Sequence, residues 1–184
     1  MSSLQRYIEV ERAKPITDAE IAELVVQKNK LVTRDYSSLG SGETLASLLP
    51  SAGNGCVLFW RNKKNEVGHF NLLLRHPGDQ YEFFDSYGKT IHEIAAATSH
   101  DGGRKLLRMF RGHRVLQGRH RFQQEGTGVN TCGRYCAFRF NCASFSYREF
   151  ISLLSYRGIH PDDLVTLLTM SVDFGHLRQN VSGS

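Results

Sequence analysis

The chain has 184 residues, of which 40% are hydrophobic and 22% charged, and carries a formal net charge of +5. That length fits one domain, and that composition supplies a core and argues against global disorder. The longest apolar runs, such as Leu72-Leu73-Leu74, are far too short to cross a bilayer, and the N-terminus lacks the apolar stretch of a secretory signal, so neither a membrane partner nor secretion is expected.

Residues 1–14 are polar and are expected to be poorly ordered, as are 176–184. Thr17 and Glu20 have capping-box spacing ahead of Ile21, Leu24 and Val25, which predicts a helix start. Residues 37–42 read as a loop, followed by a short helix through Leu45, Leu48 and Leu49 that Pro50 ends. The period then changes. Cys56-Val57-Leu58-Phe59-Trp60, the run from His69 to Arg75, and Tyr81-Glu82-Phe83-Phe84 are separated by turn-like segments, which predicts three strands of an antiparallel meander.

Residues 101–111 read as helical, and the stretch from His113 to Gln123 as a further strand. From Asn130 the pattern is helical to the end. Ser146 and Glu149 again have capping-box spacing, and His160-Pro161-Asp162-Asp163 puts proline at a helix start with acids in the first turn. The expected fold is α+β, a single domain over 1–184 with a central, mostly antiparallel sheet flanked by helices.

The four cysteines are Cys56, Cys132, Cys136 and Cys142. Three crowd together, which suits free thiols in a reducing compartment better than a disulfide framework. Without paired CxxC knuckles or a nearby His pair, no metal site is expected. Arg104, Lys105, Arg108, Arg111, Arg114, Arg119 and Arg121 concentrate positive charge. The ordinary reading is a solvated helix face and a basic loop. The sharper one is nucleic-acid contact through Arg104, Arg108 and Arg111.

The segment Asn130-Thr131-Cys132-Gly133-Arg134-Tyr135-Cys136 carries the most chemical information. A thiol has a reference pKa of about 8.5, so a nucleophilic cysteine needs a device that favours its thiolate. A helix N-terminus is one such device and a histidine base another. Cys132 falls where a helix should begin, with Asn130 and Thr131 as candidate caps, and Gly133 offers room for a substrate backbone. Cys136 follows at helical spacing and is expected to be packed inside. His69 opens an apolar strand and Asp85 closes the next, so antiparallel pairing can bring them together. An Asp there would hold His69 Nδ1–H and leave Nε2 to face the thiol.

Together, Gly68-His69, Phe84-Asp85-Ser86-Tyr87-Gly88, a glutamine at 123 or 124, and Thr131-Cys132-Gly133-Arg134 resemble the adenovirus-protease and ubiquitin-like-protease superfamily of cysteine peptidases. The resemblance spans about residues 30–170 and is closest to the viral, Maverick/Polinton-like branch. It implies an adenain-like fold and a thiol protease in which Cys132 is the nucleophile, His69 the base and then acid, and Asp85 the orienting group. Gln123, which ends a strand-like run, is preferred over Gln124 as the oxyanion donor. Phe70 stands where many relatives carry Trp.

The resemblance further implies a protein substrate, a capsid or core precursor cleaved during virion maturation. The protein would reside in the virion or in the host cytoplasm or nucleus. No cofactor is expected, although the resemblance allows an activating peptide or DNA. Two other functions compete: removal of ubiquitin or ubiquitin-like modifiers, and a non-enzymatic nucleic-acid-binding virion protein.

Overall fold

The computed structural model describes residues 2–64, 67–126, 128–155 and 158–170. Its elements in chain order are α1 (Ser3–Ala13), α2 (Asp18–Glu23), β1 (Leu31–Asp35), α3 (Leu45–Leu48), β2 (Gly55–Arg61), β3 (Gly68–His76), β4 (Gln80–Phe84), α4 (Ile91–Ala97), α5 (Arg104–Phe110), β5 (Val115–Gln117), α6 (Cys132–Asn141), α7 (Tyr147–Leu154) and α8 (161–170).

The five strands form one sheet in the order β1-β2-β3-β4-β5. β2, β3 and β4 are the expected antiparallel meander. β1 and β5 join its two edges in parallel, so the α+β architecture holds with a mixed sheet.

Alternation along the strands splits the interior into two apolar layers. Val57, Leu72, Leu74 and Phe84 face α2, α6, α7 and α8, through Ile21, Tyr135, Phe140, Phe150 and Val165. Leu58, Leu73, Tyr81 and Phe83 face α3, α4 and α5, through Leu45, Ile94, Leu106 and Met109. A buried ion pair ties α6 to the sheet. Arg139 places Nε 2.8 Å from Glu82 Oε1 and Nη2 2.7 Å from Oε2, while His76 Nε2 approaches Oε2 at 2.9 Å. Burial alone would raise the Glu82 carboxyl, but the hydrogen bonds from His76 and Arg139 hold it below its ordinary value.

Several expectations change. Of the segment 1–14 expected to be poorly ordered, the described residues 2–14 are ordered: Ser3–Ala13 is a helix with Ile8 buried, and Arg12 Nη1 pairs with Asp163 Oδ1 at 2.8 Å. Tertiary contacts with α8 and α6 order a segment too polar to announce itself. Residues 176–184 lie outside the described residues. The strand expected over 113–123 shrinks to Val115–Gln117, and the described residues between it and Cys132 form no further helix or strand. β1 and α4 were not anticipated, although Thr90 and Glu93 form a complete capping box at the start of α4. No helix among the described residues is long and apolar enough to cross a membrane.

Candidate active site

β3 and β4 are paired with Leu72 opposite Phe84. Continuing that register sets Asn71 across from Asp85 and His69 across from Tyr87. His69 and Asn71 are two residues apart and so share one side of the strand. Both reach the same carboxylate oxygen: His69 Nε2 lies 2.8 Å from Asp85 Oδ2, and Asn71 Nδ2 donates to it at 2.5 Å. The sequence reading had Asp85 on Nδ1. The structure reverses this: Nε2 is on the carboxylate, which leaves Nδ1 as the ring nitrogen for the thiol. The register brings His69 and Asp85 to one side of adjacent strands, and the side-chain torsions of His69 set which ring nitrogen meets the carboxylate.

Asp85 also opens a turn. Its Oδ1 accepts the backbone N–H groups of Tyr87 at 2.9 Å and Lys89 at 3.0 Å. The turn needs a glycine at 88, where φ is 70° and a Cβ would stand 2.6 Å from Arg119 O. Burial alone would raise the Asp85 carboxyl; the His69 hydrogen bond and charge, then Lys89 N–H and the Asn71 amide, hold it below its ordinary value.

The His69 ring is enclosed on two sides. Tyr87 stacks on it with centroids 4.8 Å apart, and Trp60, its cross-strand partner, meets it edge-on at 5.5 Å. Trp60 also donates Nε1–H to Asn71 Oδ1 at 2.6 Å. With Oδ1 so occupied, the Asn71 amide presents its N–H₂ group to Asp85.

Cys132 is the first residue of α6 and is partly open to a cleft. Burial alone would raise its thiol. A hydrogen bond to His69, the charge of that ring, and the backbone N–H groups of Phe70 and Gly133 outweigh burial and bring the thiol below its ordinary value. For His69 burial works the other way, but Asp85 and Cys132 dominate and lift the imidazole to about 9. Opposite shifts in a contacting thiol and imidazole favour a thiolate–imidazolium pair. The other thiols differ. Burial pushes Cys56 up to about 12 and raises Cys136 well above the ordinary range, and Cys142 is raised as well. All four cysteines are free.

The expected caps of α6 do not form. Thr131 makes no side-chain cap; its hydroxyl donates to Asp162 Oδ1 at 2.6 Å. Asn130 Nδ2 donates to Ala13 O at 2.6 Å and so fastens α1 instead. The positive end of α6 is thereby left to groups at the cleft. Gly133 also has a different reason to be glycine. It is buried, and a Cβ there would stand 2.8 Å from Ile16 Cγ1 and 3.0 Å from Ile21 Cδ1. The packing of the α1–α2 segment on α6 thus leaves no room for a side chain there.

The two glutamines separate clearly. Gln123 is 1% exposed; its Oε1 accepts from Ser86 Oγ at 2.7 Å and its Nε2 donates to Val129 O at 3.3 Å. Ser86 O also receives the backbone N–H groups of Phe122 and Gln123. Gln124 is exposed and contributes only its backbone N–H, to Asp162 Oδ2 at 2.9 Å.

The cleft at Cys132 is an apolar groove of about 600 Å³, walled by Ile16, Ala19, Phe59, Val67 and Phe70 and including Gly133. A smaller hollow of about 150 Å³ shares Val67 and Gly68 with it and is bordered by Trp60, Tyr87, Lys89 and Glu125 around His69. Arg104, Arg108 and Arg111 are exposed on α5 and just after it, across the sheet from α6. Arg108 Nη2 donates to Gly40 O at 3.4 Å. Among the described residues, no group of three or more His, Cys, Asp or Glu side chains is arranged to hold a metal ion.

Sequence reasoning missed Trp60, Asn71 and Asp162. For Asn71 a signal existed: one amide in the otherwise apolar run Phe70-Asn71-Leu72-Leu73-Leu74 must find a buried partner. Trp60 and Asp162 gave none, since their partners are set by packing across the chain.

No protein-family model matches the chain. It is similar to the uncharacterized protein V9 of Sputnik virophage, at 27% identity over 168 residues, covering 84% of this chain and 94% of that protein.

Proposed function

We propose that this protein is an adenain-like cysteine endopeptidase. The observation that carries the reading is the ordered contact series Cys132–His69–Asp85, with the thiol lowered and the imidazole raised. In the first step His69, protonated by the thiol, leaves a Cys132 thiolate that attacks a peptide carbonyl. The developing oxyanion takes hydrogen bonds from the backbone N–H at the start of α6 and the Gln123 amide. His69 then gives its proton to the leaving amine, and water hydrolyses the thioester by the reverse route. Asp85 holds the ring and stabilises its charged form. The apolar groove beside Cys132 receives the substrate chain.

The substrate class we propose is a capsid or core precursor cleaved during virion maturation. The family resemblance of the His, Asp and Cys motifs supports it, and the similarity to a virophage protein supports a viral setting. A peptide vinyl sulfone should label Cys132 alone, and His69→Ala should abolish the labelling. Equal modification of all four cysteines would sink the enzyme reading. Cleavage of Gly-containing precursor peptides, with no reaction toward a ubiquitin-like aldehyde, is the expected specificity, and the reverse preference would reassign the substrate to modifier conjugates.

A further inference from the structure

α8 carries a carboxylate with no role in the reaction proposed above. Asp162 is fully buried, with 0% of its surface exposed, yet among the described residues it faces no lysine or arginine at ion-pair distance. Its oxygens instead take hydrogen bonds from both ends of one connection. Oδ1 accepts the Thr131 hydroxyl at 2.6 Å, and Oδ2 accepts the Gln124 backbone N–H at 2.9 Å. Asp162 is itself held by its own N–H on His160 Nδ1 at 3.2 Å, and His160 Nδ1 lies 3.3 Å from Oδ2.

The two donors have telling neighbours. Thr131 directly precedes Cys132, whose backbone N–H begins α6. Gln124 directly follows Gln123, whose amide is aimed by Ser86. One side chain therefore spans the two backbone points that carry the two oxyanion donors. Without it, those points are joined along the chain only by the connection 125–130. An oxyanion site works only when its donors are fixed before charge develops, and a displacement of about 1 Å can cost about 10²-fold in rate.

We infer that Asp162 is a positioning residue that sets the distance between the Gln123 amide and the N-terminus of α6. This rests on the peptidase reading. The carboxylate touches neither substrate nor thiol; it acts through Thr131 and Gln124.

The test compares two rates in the full-length protein. Alkylation of Cys132 by iodoacetamide needs the thiolate but no oxyanion site, whereas peptide hydrolysis needs both. Asp162→Ala should lower kcat by about 10²-fold while KM and the alkylation rate stay within about twofold of the parent. Asp162→Asn should recover most of kcat, because its Oδ1 can accept the Gln124 N–H and its N–H₂ can donate to the Thr131 hydroxyl. Thr131→Val keeps the side-chain shape and removes one of the two bonds; it should lower kcat by about tenfold, and it decides the matter if Asp162→Ala does not fold. Alkylation and hydrolysis falling in parallel, or an unchanged kcat in Thr131→Val, would overturn the inference. A parent protein that hydrolyses no peptide overturns the peptidase reading itself, and shows as such before any variant is compared.

Discussion

Asn71 donates to Asp85 Oδ2 at 2.5 Å, the same oxygen that faces His69 Nε2. With His69 and the Lys89 N–H, the amide helps hold the carboxyl below its ordinary value and fixes Oδ2 toward the imidazole. Asn71→Ala removes that donor and leaves the buried Trp60 N–H without its acceptor, a loss of about 1–3 kcal/mol. The midpoint of Cys132 alkylation against pH should move up toward the ordinary thiol range. An unchanged midpoint would show that Asn71 serves packing alone.

The thiols should separate by pH. Cys132 alkylation should be the fastest at neutral pH, with its midpoint below the ordinary thiol range, while Cys56, pushed up to about 12, and the raised Cys136 and Cys142 stay slow. Mapping the modified residue by mass across pH 5–10 checks this. His69→Ala should return Cys132 to the range of its neighbours, and hydrolysis should fall by about 10²–10⁴-fold.

His69 sets an alkaline limit. Its folded value of about 9 lies above the ordinary 6.5, so folding binds its proton more tightly. The resulting stabilisation is complete below about 6.5 and is lost as pH rises through about 9. Hydrolysis should fall as pH rises through about 9, whereas the melting temperature should stay nearly level between about 6.5 and 9, because there the unfolded chain holds on its thiol the proton that the folded pair holds on His69.

Gln123 and Gln124 should behave differently. Gln123→Ala should lower kcat by about 10²–10³-fold, the usual consequence of removing an oxyanion donor. Gln124→Ala should leave kcat unchanged, since that side chain is exposed and its backbone N–H survives the substitution. Equal effects from the two variants would remove Gln123 from the oxyanion role.

Glu82 offers a test of the fold that is independent of the reaction. Glu82→Gln leaves Arg139 buried with no charge partner and should cost about 3–5 kcal/mol, read from denaturant unfolding. A loss under 1 kcal/mol would mean that the Arg139 contacts to Cys142 O and Phe145 O suffice.

The basic stretch predicts DNA binding whose affinity falls with salt. Neutralising Arg104, Arg108 and Arg111 together should flatten that dependence, each lost phosphate contact lowering the log–log slope by about 0.9. A parent protein with no salt dependence would leave these residues as a solvated helix face.

Much of the site was legible before folding was considered. Cys132, His69 and Asp85 each stood at the boundary of a periodic run, where a reactive side chain can leave the core for a cleft. The meander of β2, β3 and β4 followed from local alternation, and the capping boxes at Thr17 and Ser146 follow from spacing alone. These are short-range facts, written within a few residues of one another.

What the tertiary structure decided is long-range. The strand register put His69 and Asn71 on the same side as Asp85, because one residue of slip would turn them to the other face. The docking of α1 and α2 on α6 set Ile16 against Gly133 and ordered a polar N-terminal segment. Packing buried Gln123 and left Gln124 exposed, and α8 brought Asp162 to both ends of the connection before Cys132. Spacing along a chain records which side chains can belong to one element. Which atoms of distant elements meet depends on how the elements pack, and that is settled only when the two apolar layers close on the sheet.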